Sequence, residues 1–402
     1  MREGSKSYQQ VLNSNTPHTS RQPLPSLTGG VGGESVGSIV CTIGFFDGVH
    51  RGHEYLIRQV LDEARGRGAR SLLVTFDRHP RTVFAPASTP ALLTTAPEKM
   101  ALLRATGVDS IFVLPFDRAM AALTAREFMQ QVLHDQLGVT ALVVGYDHHF
   151  GRPQGETFDD YVAIGREVGI DVVPARELEG EHVSSSAIRR ALEAGDVGAA
   201  ARLLGRPYTW TGRVVHGRGI GHRLGFPTAN LEAVAPEKML PARGAYAVRV
   251  KSALGPQERF FEQSETEERV KSEKSEVESE GVKSEGVKSE RVKSEKSEVE
   301  NEGVKGEGVK SERVKSEKSA VESEAWAAGM LNIGRRPTLD NGDDVSVEAH
   351  LFDTDHDLYG QTLTLAFVER LRPEQRFDSE VALARQLRLD EQAARRCTYS
   401  SR

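Results

Sequence analysis

Cysteine is nearly missing from this chain of 402 residues: Cys41 and Cys397 lie near opposite ends, without metal-ligand spacing. Cys41 sits inside an apolar run and reads as a small core residue. No apolar run approaches the roughly 20 residues that cross a bilayer. The opening Met1-Arg2-Glu3-Gly4-Ser5-Lys6 lacks the apolar core of a signal peptide. Surplus positive charge is also absent. A net charge of −6 argues against a nucleic-acid coat or a basic membrane-surface protein. The Walker pattern GxxxxGK[ST] does not occur either. These absences predict a soluble, cytoplasmic protein that engages neither nucleic acid nor membrane. Its length exceeds what one core supports, so two domains with accessory segments are expected.

Two stretches lack the apolar content of a packed core. Residues 1–37 are rich in Ser, Gln, Asn, Pro and Gly and read as a disordered extension. Residues 252–324 are mostly Val, Lys, Ser, Glu and Gly, and the octet Glu268–Ser275 recurs as Glu290–Ser297 and Glu312–Ser319. A repeat of that period can mark a solenoid, but the valines are isolated and unevenly spaced, which predicts a disordered, nearly charge-balanced insertion. The other reading of this stretch is a partly helical segment stabilised by Glu/Lys pairs.

Between these stretches the pattern divides. Over 38–205, apolar strand-like runs (39–43, 71–76, 111–114, 141–144, 171–173) alternate with helical periodicity. Thr124-Ala125-Arg126-Glu127 is a capping box opening a helix that closes at Gly138. Alternating β and α units predict a doubly wound, mostly parallel sheet that binds ligands at its carboxyl ends. From 206 to 402 short strands with Gly/Pro turns (210–216, 246–250, 330–333, 345–352, 362–368) predict a small antiparallel barrel. A final helix, about 378–396, offers Val381, Leu383, Ala384, Leu387 and Ala394 for packing on it. The fold class is thus α/β plus β.

The most informative stretch is Gly44-Phe45-Phe46-Asp47-Gly48-Val49-His50-Arg51-Gly52-His53, set between a strand and a helix. Such a turn aims free N–H groups and a helix dipole at one point, a geometry suited to phosphate. His50 and His53 add donors. About one domain later, Val183-Ser184-Ser185-Ser186-Ala187-Ile188-Arg189 opens a second helix. A serine run there is ordinarily an N-cap; paired with HxGH, a phosphate role is the better reading. Together these motifs resemble the HxGH nucleotidylyltransferase superfamily, and within it the adenylyltransferase half of the bacterial bifunctional riboflavin kinase/FAD synthetase family.

The second half carries a glycine-rich cationic loop, Gly217-Arg218-Gly219-Ile220-Gly221-His222-Arg223, followed by Pro227-Thr228-Ala229-Asn230. Glycines let a backbone wrap phosphates, and Thr228 and Asn230 offer neutral oxygens suited to Mg²⁺. This loop, with Asn332-Ile333-Gly334, Val347-Glu348-Ala349-His350 and Leu371–Phe377, looks like the flavokinase module of the same family. Thr75–Pro80 and Gly145-Tyr146-Asp147-His148-His149-Phe150-Gly151 resemble two further family loops near the flavin or nucleotide. Departures include Phe45 where Asn is frequent, Arg78 for a proline and His148 for a phenylalanine. Ile220 and His222 stand where arginines are usual.

The resemblance implies two activities: ATP-dependent phosphorylation of riboflavin to FMN, and adenylylation of FMN to FAD with release of pyrophosphate, with Mg²⁺ as cofactor. It implies catalytic roles for His50, His53, Arg189 and Glu348, the last as general base. Nucleotide or flavin binding falls to Gly44, Phe46, Asp47, Gly48, Gly52, Ser184, Ser185, Ser186, Asp147, Gly217, Gly219, Gly221, Arg223 and Asn332. Metal binding falls to Thr228 and Asn230. Strand alternation puts Glu348 on the face opposite Val345, Val347, Ala349 and Leu351. His350 shares that face and packs or hydrogen-bonds. Two rivals are a nucleotidylyltransferase for another phosphate ester and a decayed enzyme acting as a scaffold through its repeat.

Overall fold

The computed structural model describes residues 37–145, 150, 155–180, 182–217, 221, 225–252, 326–335, 345–354 and 357–399. The expectations for residues 1–36 and 253–325, and for the ligand loops at Asp147, Gly219 and Arg223, lie outside the described residues.

Strands β1 (Ile39–Ile43), β2 (Arg70–Phe76), β3 (Ser110–Leu114), β4 (Ala141–Val144) and β5 (Asp171–Pro174) form a parallel sheet in the order β3-β2-β1-β4-β5. Every residue of β1 is buried, which explains its continuous apolar run at the centre of a two-sided layer. The order reverses between β1 and β4. The crevice beyond their carboxyl ends is where such sheets take ligands, and the HxGH turn leaves β1 there.

Helix α1 (Arg51–Gly66) buries Ile57, Gln59, Val60 and Ala64 against the sheet side of the domain. Helix α2 (Ala96–Ala105) starts with a capping box of Thr95 and Glu98, and α3 (Phe158–Val168) with one of Thr157 and Asp160. The predicted capping box at Thr124 and Glu127 forms, but the helix it opens stays α-helical only over Ala125–Glu127 and then widens into π turns over Phe128–His134. Asp135 and Leu137 donate to carbonyls five residues back. That winding buries Phe128, Met129, Val132 and Leu133 together.

Helices α4 (Ser185–Ala194) and α5 (Val197–Leu204) lead into the second layer, each ending on a left-handed glycine, Gly195 and Gly205. Six strands among the described residues then close a barrel: β6 (Thr209–Val215), β7 (Ala229–Ala233), β8 (Gly244–Ser252), β9 (Ala327–Arg335), β10 (Val345–Leu351) and β11 (Thr362–Pro373). The pairs with described register are antiparallel. β8 and β9 pair from Gly244 with Ile333 to Val250 with Ala327, the neighbours expected to flank the insertion. Strand β7 was not foreseen; its first two residues, Ala229 and Asn230, were read as the end of a ligand motif. Helix α6 (Glu380–Tyr399) packs Ala394 and Leu387 on the outside of the barrel. Val381, expected to pack there, is 80% exposed.

The core does not divide where the sequence pattern does. Trp210, Tyr246, Leu331, Val347 and Phe367 of the barrel share one buried cluster with Ile188 and Leu192 of α4, Leu203 and Leu204 of α5, and Leu93 from the loop before α2. Leu92 exchanges backbone hydrogen bonds with the 237–239 segment, and Lys238, almost fully buried, lies 2.5 Å from the Glu98 carboxylate.

Candidate active sites

At the end of β1 the chain makes a tight turn that only strained backbone permits. Phe46, Gly48 and Val49 all have positive φ, at 55°, 83° and 39°. Gly48 adopts such a value without steric cost, whereas Phe46 and Val49 do so under constraint. His50 caps α1, and its Nδ1 accepts from the backbone N–H of His53 at 3.3 Å. The two imidazoles stack with centroids 3.6 Å apart, and Phe46 meets His53 edge-on at 5.2 Å. Burial, then the nearby Arg206 charge, pushes the His50 pKa down to about 4. His50 is therefore neutral near pH 7. Because Nδ1 is the acceptor, the ring proton sits on Nε2, leaving one outward donor.

Helix α4 begins against the same turn. Ser184 accepts from the Ala187 N–H as an N-cap, and Ser185 Oγ donates to the Asp47 carbonyl at 2.9 Å. Ser186 is exposed at the helix start. Arg189 pairs with the Asp47 carboxylate and donates through Nε to the Ala91 carbonyl at 2.8 Å. Asp47 also accepts from the N–H groups of Leu93 and Thr94 and from the Thr94 hydroxyl. Its carboxylate is thus taken up by protein donors and ties the turn to α4. The adjacent His79, from the Thr75–Pro80 loop, packs edge-on to Phe45 at 4.9 Å. Burial, with the Arg189 charge, lowers its pKa.

On the barrel, β10 lies between β7 and β9, with Glu348 opposite Asn230 on one side and Asn332 on the other. The alternation holds: Val347 and Ala349 are buried in the barrel interior, so Glu348 and His350 face outward. They face a cavity of about 710 Å³ that Thr228, Asn230 and Asn332 also line. Leu383, Leu387 and Asp390 of α6 form its far wall. A Cβ on Gly217 would collide with the Asn230 side chain, so the loop after β6 approaches that asparagine as only glycine allows. His350 Nδ1 donates to the Pro227 carbonyl at 2.7 Å, which sets the residue before Thr228. At the cavity edge Arg372 grips the Asp390 carboxylate with Nε and Nη2 at 2.8 to 3.2 Å.

Family models described as FAD synthetase and riboflavin kinase match residues 34–187 and 204–398. A Pseudomonas fluorescens protein described as bifunctional riboflavin kinase/FMN adenylyltransferase is 33% identical over 89% of this chain and 92% of its own length. The chain belongs to the bifunctional riboflavin kinase/FMN adenylyltransferase family. An Escherichia coli K12 relative of the same description is 32% identical over 89% of this chain and 91% of its own. A solved Streptococcus pneumoniae structure, described as a macrolide-efflux protein, shares the architecture with a TM-score of 0.65 and 25% identity, covering 90% of this chain and 95% of that one. Among the described residues here, no helix is long and apolar enough to cross a membrane.

As a member of this family the protein is a bifunctional enzyme, with an FAD synthetase module before a riboflavin kinase module. ATP, riboflavin and FMN are the small molecules those activities require. The structure gathers His50, His53, Gly52, Ser185 and Arg189 at the first module's turn, and Gly217, Gly221, Thr228, Asn230, Asn332 and Glu348 at the second module's cavity. Two of the expected ligand-binding side chains are engaged within the protein: the Asp47 carboxylate is taken up by Leu93, Thr94 and Arg189. Phe46, grouped with the ligand-binding residues, is 2% exposed and packs with Val49, Ile57, Leu73 and Leu103 beneath the turn.

Sequence reasoning missed Lys99. Its Nζ donates to the Phe45 carbonyl at 3.1 Å and the Phe76 carbonyl at 2.9 Å, lies 4.1 Å over the Phe45 ring, and is buried. Desolvation lowers its pKa to about 8. The available signal was its position in the first turn of α2, the end of a helix where a cation is disfavoured.

Proposed function

We propose that the riboflavin kinase reaction takes place in the barrel cavity, with Glu348 as general base. The ribityl 5′-hydroxyl oxygen bonds to the γ-phosphorus of ATP while the bond from that phosphorus to the β,γ-bridging oxygen breaks. The hydroxyl proton passes to the Glu348 carboxylate, and ADP leaves. The observation that carries this reading is Glu348 set between Asn230 and Asn332 on the cavity face.

Thr228 and Asn230 are the residues we assign to Mg²⁺. Among the described residues no cluster of three His, Cys, Asp or Glu side chains offers a dedicated metal cage. Neutral oxygens fit an ion that keeps several waters and takes the rest of its ligands from substrate phosphates. When bound, it would offset charge on those phosphates.

In the first module, His50 and His53 would hold the phosphates of a second ATP through imidazole donors at the positive end of α1. An FMN phosphate oxygen then bonds to the α-phosphorus as pyrophosphate leaves. The start of α4 lies against the same turn through Ser185, while Asp47 and Arg189 brace it. The scaffold and other-nucleotidylyltransferase readings are not favoured, since both modules match their families.

Two variants in parallel test the assignment. Glu348→Gln keeps size and hydrogen bonding while removing the base, and should abolish FMN formation yet leave FAD formation from supplied FMN. His53→Ala should do the reverse, lowering FAD formation on the order of 10²–10³-fold. If either variant loses both activities with its fold intact by circular dichroism, the division of labour is wrong.

A further inference from the structure

Arg206 lies inside the stretch matched to riboflavin kinase, two residues past α5, yet its side chain reaches the HxGH turn of the other module. Its Nη1 donates to the Val49 carbonyl at 2.9 Å and to the Leu204 carbonyl at 3.2 Å. Its Nη2 donates to the Gly48 carbonyl. These two carbonyls belong to consecutive residues with positive φ. A backbone of that kind persists only where its surroundings over-determine it.

We propose that Arg206 is a positioning residue for adenylyl transfer: a kinase-module guanidinium that holds the strained turn so that His50 and His53 are presented to the ATP phosphates. The inference rests on the assignment of that turn as the adenylyl site. In a trans peptide the C=O and N–H point opposite ways. Fixing the Val49 oxygen toward Arg206 therefore turns the His50 N–H to the other side and sets where α1 begins. Fixing the Gly48 oxygen does the same for the Val49 N–H, which closes the turn onto the Phe46 carbonyl at 3.1 Å. Two carbonyls at an angle to one another need two N–H groups on one rigid plane. Arginine has that fork and lysine does not. The charge also has an effect. Burial lowers the Arg206 pKa, the acidic Glu54 and Glu98 offset part of that shift, and the guanidinium charge helps to keep the His50 ring neutral.

The test uses the full-length enzyme with Arg206→Gln and Arg206→Lys, each assayed for both reactions on one preparation. Misplaced phosphate-binding groups should lower kcat for FAD formation on the order of 10²-fold, with the KM for FMN changed far less. Riboflavin phosphorylation should stay within about twofold of wild type, since Arg206 does not line that cavity. Arg206→Lys should recover only part of the loss. His53→Ala is run beside them. If it abolishes FAD formation while Arg206→Gln leaves kcat at the wild-type level, the positioning role is overturned and the site stands. A loss shared equally by both reactions, with a lowered Tm, would also overturn it in favour of general stability. If His53→Ala itself retains full FAD formation, the turn is not the adenylyl site and the inference falls with it.

Discussion

His50 is a residue whose chemistry is decided by its burial. An imidazole that ordinarily titrates at 6.5 is held near 4 in the folded state, first by desolvation and then by the Arg206 charge. Below pH 6.5 the unfolded chain takes up a proton that the folded chain refuses, so stability is full above that pH and falls as pH drops toward 4. The cost reaches roughly 3 kcal/mol by the bottom of that window. Urea unfolding at about pH 7 and pH 4.5 should therefore show a smaller acid loss in His50→Gln than in wild type. An equal loss in both proteins would mean that another group dominates.

The same residue scale shows what was legible in the sequence. The outward placement of Glu348 was legible because strand alternation is a strict period of two, and Val347 and Ala349 fixed its phase. The strand–turn–helix setting of His50 and His53 was legible because an apolar run, glycines and helical periodicity surround them. Phe46 was misplaced because a motif gives the position of a residue in a turn but not which side of it faces the core. Lys99 and Arg206 were invisible for a different reason. Their partners are backbone carbonyls 54 and 157 residues away, and a carbonyl leaves no mark on residue type.

Among the elements, α6 walls the barrel cavity with Leu383, Leu387 and Asp390. Its apolar contact is modest: Leu387 and Ala394 pack on the barrel, while Val381 and Leu389 face solvent. The stronger tie is the Arg372–Asp390 pair, with side chains only 14% and 5% exposed, joined by Gln386 donating to Asp390 at 2.8 Å. Removing one partner of a buried pair leaves an uncompensated charge and costs about 3–5 kcal/mol. Asp390→Ala should lower stability toward that range, speed hydrogen exchange of α6 amides and reduce FMN formation, with FAD formation from FMN spared. Replacing both residues, as Arg372→Met with Asp390→Leu, should restore most of the stability. The helix itself was legible from its periodicity. Its attachment was not, since the ion pair joins it to a strand whose packing no local pattern reveals. Strand β7 hid for a similar reason, since two of its five residues, Ala229 and Asn230, end the Pro227–Asn230 motif and also pair with β10.

For the whole molecule, the telling feature is what the long insertion leaves undisturbed. The β8–β9 ladder runs from Gly244 with Ile333 to Val250 with Ala327, in register throughout. Loop-closure cost rises only logarithmically with length, so a chain that leaves Val250 and returns at Ala327 need not weaken that ladder. Replacing residues 262–324 with a short Gly/Ser loop should preserve both activities and shift the unfolding midpoint little. A variant that folds but loses riboflavin phosphorylation alone would show that the segment takes part in the kinase site.

The shared cluster of α4, α5 and the barrel has a practical corollary for anyone cutting this gene. The FAD synthetase match stops at residue 187, one position before Ile188, which is 0% exposed in a core completed by Trp210 and Phe367. A fragment ending there would lose the ground on which Ser185 stands; one ending at 205 would keep α4 and α5 but leave their oily sides facing water, without Arg206. The seam seen by comparing families is therefore not a seam in the folded object. Heated, the two catalytic halves should melt in a single transition, as one piece of matter that happens to carry two reactions.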